Sequence, residues 1–186
     1  MNRHGIVKPR PANPPPFAPA TDEPLPEFVE WFCTQGPSLP MAPQDGIAWA
    51  GDISGLLLYR SGQFQAQLFT FPPGTVIPPH RHPNVDSFDM FVSGDLTIRK
   101  NGKPICPCDF FSQTIDGLPR LRAVGFHIGP EDWHSGEVGP RGAAFLSFQH
   151  WQGLEPSTIG LDWEGQPANE QHGEQLSAPP YAKEIT

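Results

Sequence analysis

The sequence has no long hydrophobic run. No stretch approaches the roughly 18 consecutive apolar residues that cross a bilayer, and no segment has the charged and apolar regions of a signal peptide. We therefore expect a soluble, cytoplasmic protein with no membrane partner.

Cysteines and basic residues are also scarce. The three cysteines, Cys33, Cys106 and Cys108, are too few for a disulfide framework and fit a reducing compartment. The chain has only 12 lysines and arginines but 20 acidic residues, which gives a formal net charge of -8. The basic residues form no cluster, so the composition argues against nucleic acid as a partner.

Proline, in contrast, is abundant, and its distribution divides the chain. Eight of the 25 prolines precede Glu27, where they predict an extended arm that cannot build a core. Apolar residues at Leu25, Phe28, Val29 and Phe32 then follow helical spacing and predict a short helix over 26–34. The predicted organisation is a proline-rich arm at 1–24, a helix and linker at 25–45, a β domain at 46–153 and an extended tail at 154–186.

Strand signals fill the central segment. Residues 64–71 alternate in polarity, and Asn101-Gly102 is a strong signal for a two-residue hairpin. The last convincing strand is 143–151. Short strands separated by turn residues, in a chain of 186 residues, predict an all-β double-sheet jelly roll.

Histidines supply the candidate chemistry. His80 and His82 are two residues apart, so on a strand they project from one face about 7 Å apart and can converge on one ion. The flanking prolines favour extended backbone and stiffen the approach. A third histidine, His134, enters a later strand after an aromatic residue. Together these residues predict a metal site.

The two histidine segments resemble the characteristic motifs of the cupin superfamily. Gly74, His80, His82 and Gly94 match the order and spacing of the first motif, and the segment from Pro130 to His134 resembles the second. The resemblance covers roughly residues 65–150. It implies a double-stranded β-helix and a metal site at His80, His82 and His134. Among activities it implies dioxygenases first, then isomerases and lyases.

Two positions depart from the family pattern. The first motif normally carries a glutamate ligand, but no glutamate lies between His82 and Gly94, and the expected position holds Ser87. Asp86 could then serve as a shorter carboxylate ligand, Asp89 is a further candidate, or the site has three histidines alone. In the second motif, Glu131 stands where the family has glycine.

These ligands suit a divalent transition metal, with iron expected first and manganese, nickel, copper or zinc also compatible. We expect a non-haem metal-dependent oxygenase of a small organic substrate. The aromatic residues near the site favour a substrate that is itself apolar or aromatic. The alternatives are a metal-dependent isomerase or lyase of sugar-like molecules and a cupin that binds a ligand without turnover. The residues expected around the metal are Asp89, Ser87, Trp133, Phe91, His127 and Gln149.

Two further features of the sequence suggest a role in assembly or in substrate access. Residues 103–120 form an apolar insertion with glycine and proline breakers, which suits either a substrate lid or, with slight preference, a structural role at a sheet edge or dimer contact. Because extended arms flank the β domain, we expect a homodimer formed by arm exchange.

Overall fold

The computed structural model of the protein describes residues 16–35, 47–50, 53–82, 84–115 and 118–153. Within those ranges the chain forms one helix and nine strands. They are α1 (Pro24–Gln35), β1 (Ile47–Ala50), β2 (Ile53–Ser61), β3 (Phe64–Phe71), β4 (Val76–His80), β5 (Val85–Lys100), β6 (Lys103–Pro104), β7 (Cys108–Ile115), β8 (Leu118–Ile128) and β9 (His134–Trp151).

Two long antiparallel strands, β5 and β9, organise the sheet. Their paired halves, residues 85–94 and 143–151, lie in a large layer with the order β1-β2-β3-β9-β5-β8-β7. Their other halves, which pair from Leu96–Val138 to Lys100–His134, form a smaller layer with β4 and β6. The predicted all-β double-stranded β-helix, the jelly roll of the cupins, is therefore confirmed.

The corner between the layers depends on two glycines. Gly94 has φ +95° and Gly142 has φ +69°, both in the left-handed region that favours glycine. A Cβ on Gly94 would also overlap the backbone of Gly142. At Gly94 β5 does not end but bends, with bulges on either side, and it continues to Lys100.

Helix α1 covers the outer face of the large layer. Its four predicted apolar residues, Leu25, Phe28, Val29 and Phe32, are all buried. They pack in one cluster with large side chains of β2, β3, β5 and β9, among them Tyr59, Phe64, Phe88 and Phe148. The aromatic core of this protein therefore lies largely outside the barrel, which leaves the barrel interior to other residues.

The end of the proline-rich arm joins that cluster. Phe17 is buried against Phe28 and Phe64, and its backbone N–H donates to the Tyr59 hydroxyl over 2.7 Å. Residues 1–15, the linker at 36–46 and the predicted tail at 154–186 lie outside the residues that the structure describes.

The insertion at 103–120 is more regular than its breakers suggested. Asn101 and Gly102 have φ +51° and +78° and connect β5 to β6, as the hairpin signal predicts. Strands β7 and β8 then form a second hairpin that places β7 at the edge of the large layer. In the described ranges, no helix has both the length and the apolar character needed to cross a membrane.

Candidate metal centre and cavity

Strand pairing brings the two histidine segments together. His80 ends β4 and His134 begins β9, and the two residues are direct partners in the β4–β9 ladder. His82 follows in the loop after β4, and its ring centroid lies 4.9 Å from that of His80 and 5.2 Å from that of His134. One candidate ligand atom from each residue lies within 4.8 Å of the other two.

These three side chains fit a metal ion in geometry. Atoms at most 4.8 Å apart lie at most about 2.8 Å from a central point, and a metal–imidazole bond is about 2.1 Å long. Shifts below about 1 Å per ring would therefore complete the coordination.

The tautomers and charges of His80 and His134 also fit. Nδ1 of His80 donates to the Pro78 carbonyl over 2.8 Å, and Nδ1 of His134 donates to the Asp132 carbonyl over 3.0 Å. Because a carbonyl only accepts, each ring holds its proton on Nδ1 and carries the ligand lone pair on Nε2. Burial, with the neighbouring His134, holds the pKa of His80 well below its usual range, and burial lowers the pKa of His134 to about 4. Both rings are therefore neutral at pH 7, as metal ligands must be.

The loop before His134 is fixed by residues that no sequence motif indicated. The Asp132 carboxylate accepts from the Gly129 backbone N–H over 2.9 Å and pairs with Lys100 over 3.1 Å. Asn101 bonds to both Asp132 and the backbone of Trp133. The sequence predicted the hairpin at Asn101. It did not predict that this hairpin contacts the loop, because that contact depends on tertiary packing.

Glu131, which stands in place of the glycine of the second motif, adopts a backbone conformation typical of glycine. It has φ +70°, a left-handed conformation that glycine adopts without strain and other residues rarely adopt. Its carboxylate pairs with Arg81 over 2.7 Å, and the Arg81 guanidinium also lies over the Trp133 ring. The turn therefore keeps the shape of a glycine turn, and His134 keeps its position.

The three histidines lie in the wall of one cavity inside the barrel. Its empty volume, counted together with the solvent space at its open mouth, is about 700 Å³. One part of the wall is aromatic and aliphatic, and another is polar. The lining residues are Phe69, Phe71, Ile77, His80, His82, Val85, Ser87, Asp89, Ile98, His134, Ser135, Phe145, Ser147, Gln149 and Trp151.

Alternation along β5 separates the two candidate carboxylates. Ser87 and Asp89 face the cavity. Asp86 is outside the cavity lining, and its Oδ1 lies 2.8 Å from Nε2 of His127. In contrast to the expectation of a possible fourth ligand, the structure places Asp86 away from the three histidines, because adjacent residues of a strand point to opposite faces.

The other predicted pocket residues divide in the same way. Gln149 lines the cavity. Trp133 is buried but lies outside the lining, Phe91 is 38% exposed beside a bulge, and His127 is occupied with Asp86 on the opposite face of β5. Alternation alone predicts that Phe91 follows Asp89 into the cavity; instead Phe91 lies outside the lining, at the point where the register of β5 with β9 begins to shift.

A directed series of hydrogen bonds ends at Asp89. Arg60 donates twice to Oε1 of Gln65, over 2.8 and 2.7 Å, and Gln65 donates to Oε1 of Gln149 over 3.1 Å. The Gln149 amide nitrogen donates to Oγ of Ser147 over 3.3 Å, and the Ser147 side chain is hydrogen-bonded to Asp89. We call Arg60, Gln65, Gln149 and Ser147 the donor chain.

Comparison with known proteins adds the following. No model of a known protein family matches the sequence, and no curated protein matches it either. Solved structures do resemble the fold. KdgF from Halomonas sp. aligns with a TM-score of 0.46 and 13% identity over 59% of this chain and 88% of its own. The cupin domain of Cnp3 from Schizosaccharomyces pombe aligns at 0.44 and 11%, over 59% and 71%.

An RmlC-like cupin from Shewanella frigidimarina aligns at 0.43 and 16%, over 59% of this chain and 86% of its own. Similarity at this level carries no information about reaction or substrate. The cupin fold is assigned from the strand order and the paired histidine segments of this chain itself. Three of its histidines lie together as a possible metal site.

Proposed function

We propose that this protein is a non-haem, metal-dependent oxygenase of a small organic substrate. The observation that carries the proposal is the cluster of His80, His82 and His134 in the wall of a partly aromatic cavity. Three histidine nitrogen ligands would leave further coordination positions for other groups. Iron is the metal we propose first, and manganese, nickel, copper and zinc are compatible with the same ligands.

The residues of the chain have distinct parts in this function. The histidines hold the ion, which when bound would supply Lewis-acid or redox activation of substrate and oxygen. Phe69, Phe71 and Phe145 form a contiguous apolar wall, with ring centroids 5.2 to 6.3 Å apart. This wall binds the apolar part of the substrate and excludes water from the reacting groups.

Oxygen consumption tests the proposal. Protein without a histidine tag, loaded with ferrous iron, is mixed with a panel of phenols, thiols and amines in an oxygen electrode. We expect oxygen uptake that depends on both substrate and metal. It should fall about a hundredfold or more in His82→Ala, because His82 is a direct ligand and loss of even an outer partner of a ligand typically lowers metal affinity or activity about 10- to 100-fold. His127→Ala, a histidine outside the cluster, is the matched control and should keep full activity.

A second candidate function has one observation in its favour. Asp89 places a carboxylate in the same cavity, where it can accept a proton, and proton transfer is the central step of many isomerases and lyases. Substrate turnover by zinc-loaded protein without oxygen uptake would support that function and contradict the oxygenase. Ligand binding with neither activity would leave a cupin that only binds, an alternative consistent with Ser87 at the position of the usual glutamate.

A further inference from the structure

Asp89 is a carboxylate in the cavity that the metal cluster does not use. Its side chain is only partly accessible, and it faces the cavity rather than the outer surface. Among the described lining residues there is no lysine or arginine. His127, which bonds to Asp86 on the other face of β5, interacts electrostatically with Asp89. The described cavity lining therefore contains an acidic side chain and no lysine or arginine to balance it.

The donor chain fixes the direction in which Asp89 is bonded. Arg60 can only donate, so Gln65 must present its oxygen to Arg60 and its nitrogen to Gln149. The indole N–H of Trp151 can also only donate, and it bonds to the same Gln149 oxygen over 3.0 Å. Gln149 is thereby held with its nitrogen toward Ser147.

It follows that Asp89 is held as an acceptor. Ser147 accepts from Gln149, so its own hydroxyl proton is the one that is directed to Asp89. One hydrogen bond from a neutral hydroxyl does not neutralise a carboxylate in a cavity wall, and an unpaired buried charge is costly. A ligand that brings a positive charge removes this cost, whereas a ligand with a carboxylate or phosphate next to Asp89 increases it.

We propose that the cavity binds a small primary amine in its ammonium form, with the ammonium against the Asp89 carboxylate and the apolar remainder against Phe69, Phe71 and Phe145. Aromatic faces attract cations, so the same wall suits the carbon atoms next to the ammonium. The net charge of -8 attracts cations toward the protein. This inference deepens the proposed function by naming the substrate class of the same cavity, and it rests on that function for the step from ligand to substrate.

Binding to the metal-free protein tests the inference. Titration calorimetry at pH 8 compares 2-phenylethylamine with 2-phenylethanol, butylamine with butan-1-ol, and 3-phenylpropionate as the anion. We expect at least one amine to bind about tenfold more tightly than the alcohol of the same shape, the gain of one charge-assisted hydrogen bond, and the anion not to bind. If no amine binds more tightly than its alcohol, the inference is wrong.

Two variants locate the effect. Asp89→Asn should lose the preference for the amine, while Asp86→Asn, which removes the same charge from the opposite face of the same strand, should keep it. In the wild-type protein, saturating amine should also lower the pKa of Asp89 in a carbon-13 NMR titration, a result that does not depend on any variant folding. Equal loss in both variants, or an unchanged Asp89 pKa, would overturn the assignment.

The outcome is separable from that of the proposed function. Amine preference without metal uptake would support the amine site and contradict the oxygenase. Metal-dependent oxygen uptake without amine preference would support the oxygenase and contradict the amine site.

Discussion

At the scale of single residues, Asp89 is set apart by its surroundings. Burial in the cavity wall raises its pKa from 3.8 to about 6, and the Ser147 hydrogen bond and the charge of His127 only partly oppose this. Asp86, three residues earlier, has a histidine partner and partial exposure instead. Two carboxylates on one strand thus have different chemistry because they face different sides of it.

The raised pKa makes the stability of the metal-free protein depend on pH. Between pH of about 4 and 6, the folded state keeps a proton that the unfolded chain has lost. The stabilising contribution of protonated Asp89 is therefore complete below the unfolded pKa of about 4, and it is lost as the pH rises through about 6.

Asp89→Asn should remove this dependence. At pH 8 we expect the free energy of unfolding to rise by about 1 to 3 kcal/mol, because the variant no longer buries a charge. At pH 4 the change should be small. Urea denaturation of the metal-free protein at the two pH values measures both, with Asp86→Asn as the control that gains nothing. An equal effect at pH 4 and pH 8 would show that the Asp89 charge is not the cause.

At the scale of secondary structure, the bend in β5 and β9 lets two strands serve two layers. The register of β5 with β9 shifts between Phe91 and Ser93 and again between Gly94 and Leu96. Because of this corner, Ser87 and Asp89 in one half of β5 and Ile98 in the other line the same cavity. The geometry of the site therefore depends on the corner as well as on the histidines.

Gly94→Ala should destabilise the protein by about 2 to 4 kcal/mol, because the new methyl group combines a left-handed backbone with overlap of the Gly142 backbone. Gly62→Ala is the matched control: it has φ +50°, but a Cβ added there would meet no atom within 4 Å, so only the backbone strain of about 1 kcal/mol should remain. Thermal and urea unfolding measure both variants. Similar losses for the two would mean that the close contact at the corner has no energetic weight.

Local patterns predicted most elements, and the exceptions share a cause. The spacing of Leu25, Phe28, Val29 and Phe32 defines α1, and Asn101-Gly102 defines a hairpin, because both signals lie within a few residues. The continuation of β5 beyond Gly94 was not predicted, because a bend and a turn place glycine in the same conformation. Only pairing with β9, whose partner residues beyond Gly94 are 34 to 42 positions away in the sequence, distinguishes them.

At the scale of the whole molecule, the fold and the histidine cluster followed from the sequence, as did the cavity residues Ser87, Asp89 and Gln149, but the donor chain did not. His80, His82 and His134 could be named because motif spacing carries them. The donor chain could not, since Arg60, Gln65 and Gln149 meet across β2, β3 and β9 and have no common sequence pattern. The homodimer, the cytoplasmic location and the roles of the terminal arms stay predictions.

The central claim is that the barrel holds one metal ion through its three clustered histidines. Elemental analysis of protein without a histidine tag, after incubation with ferrous iron, manganese, nickel or zinc and removal of the excess, tests it most directly. We expect about one ion per chain in the wild type and in His127→Ala, and little in His80→Ala, His82→Ala or His134→Ala. Full occupancy in all three cluster variants, or none in the wild type with any of the four metals, would contradict the account.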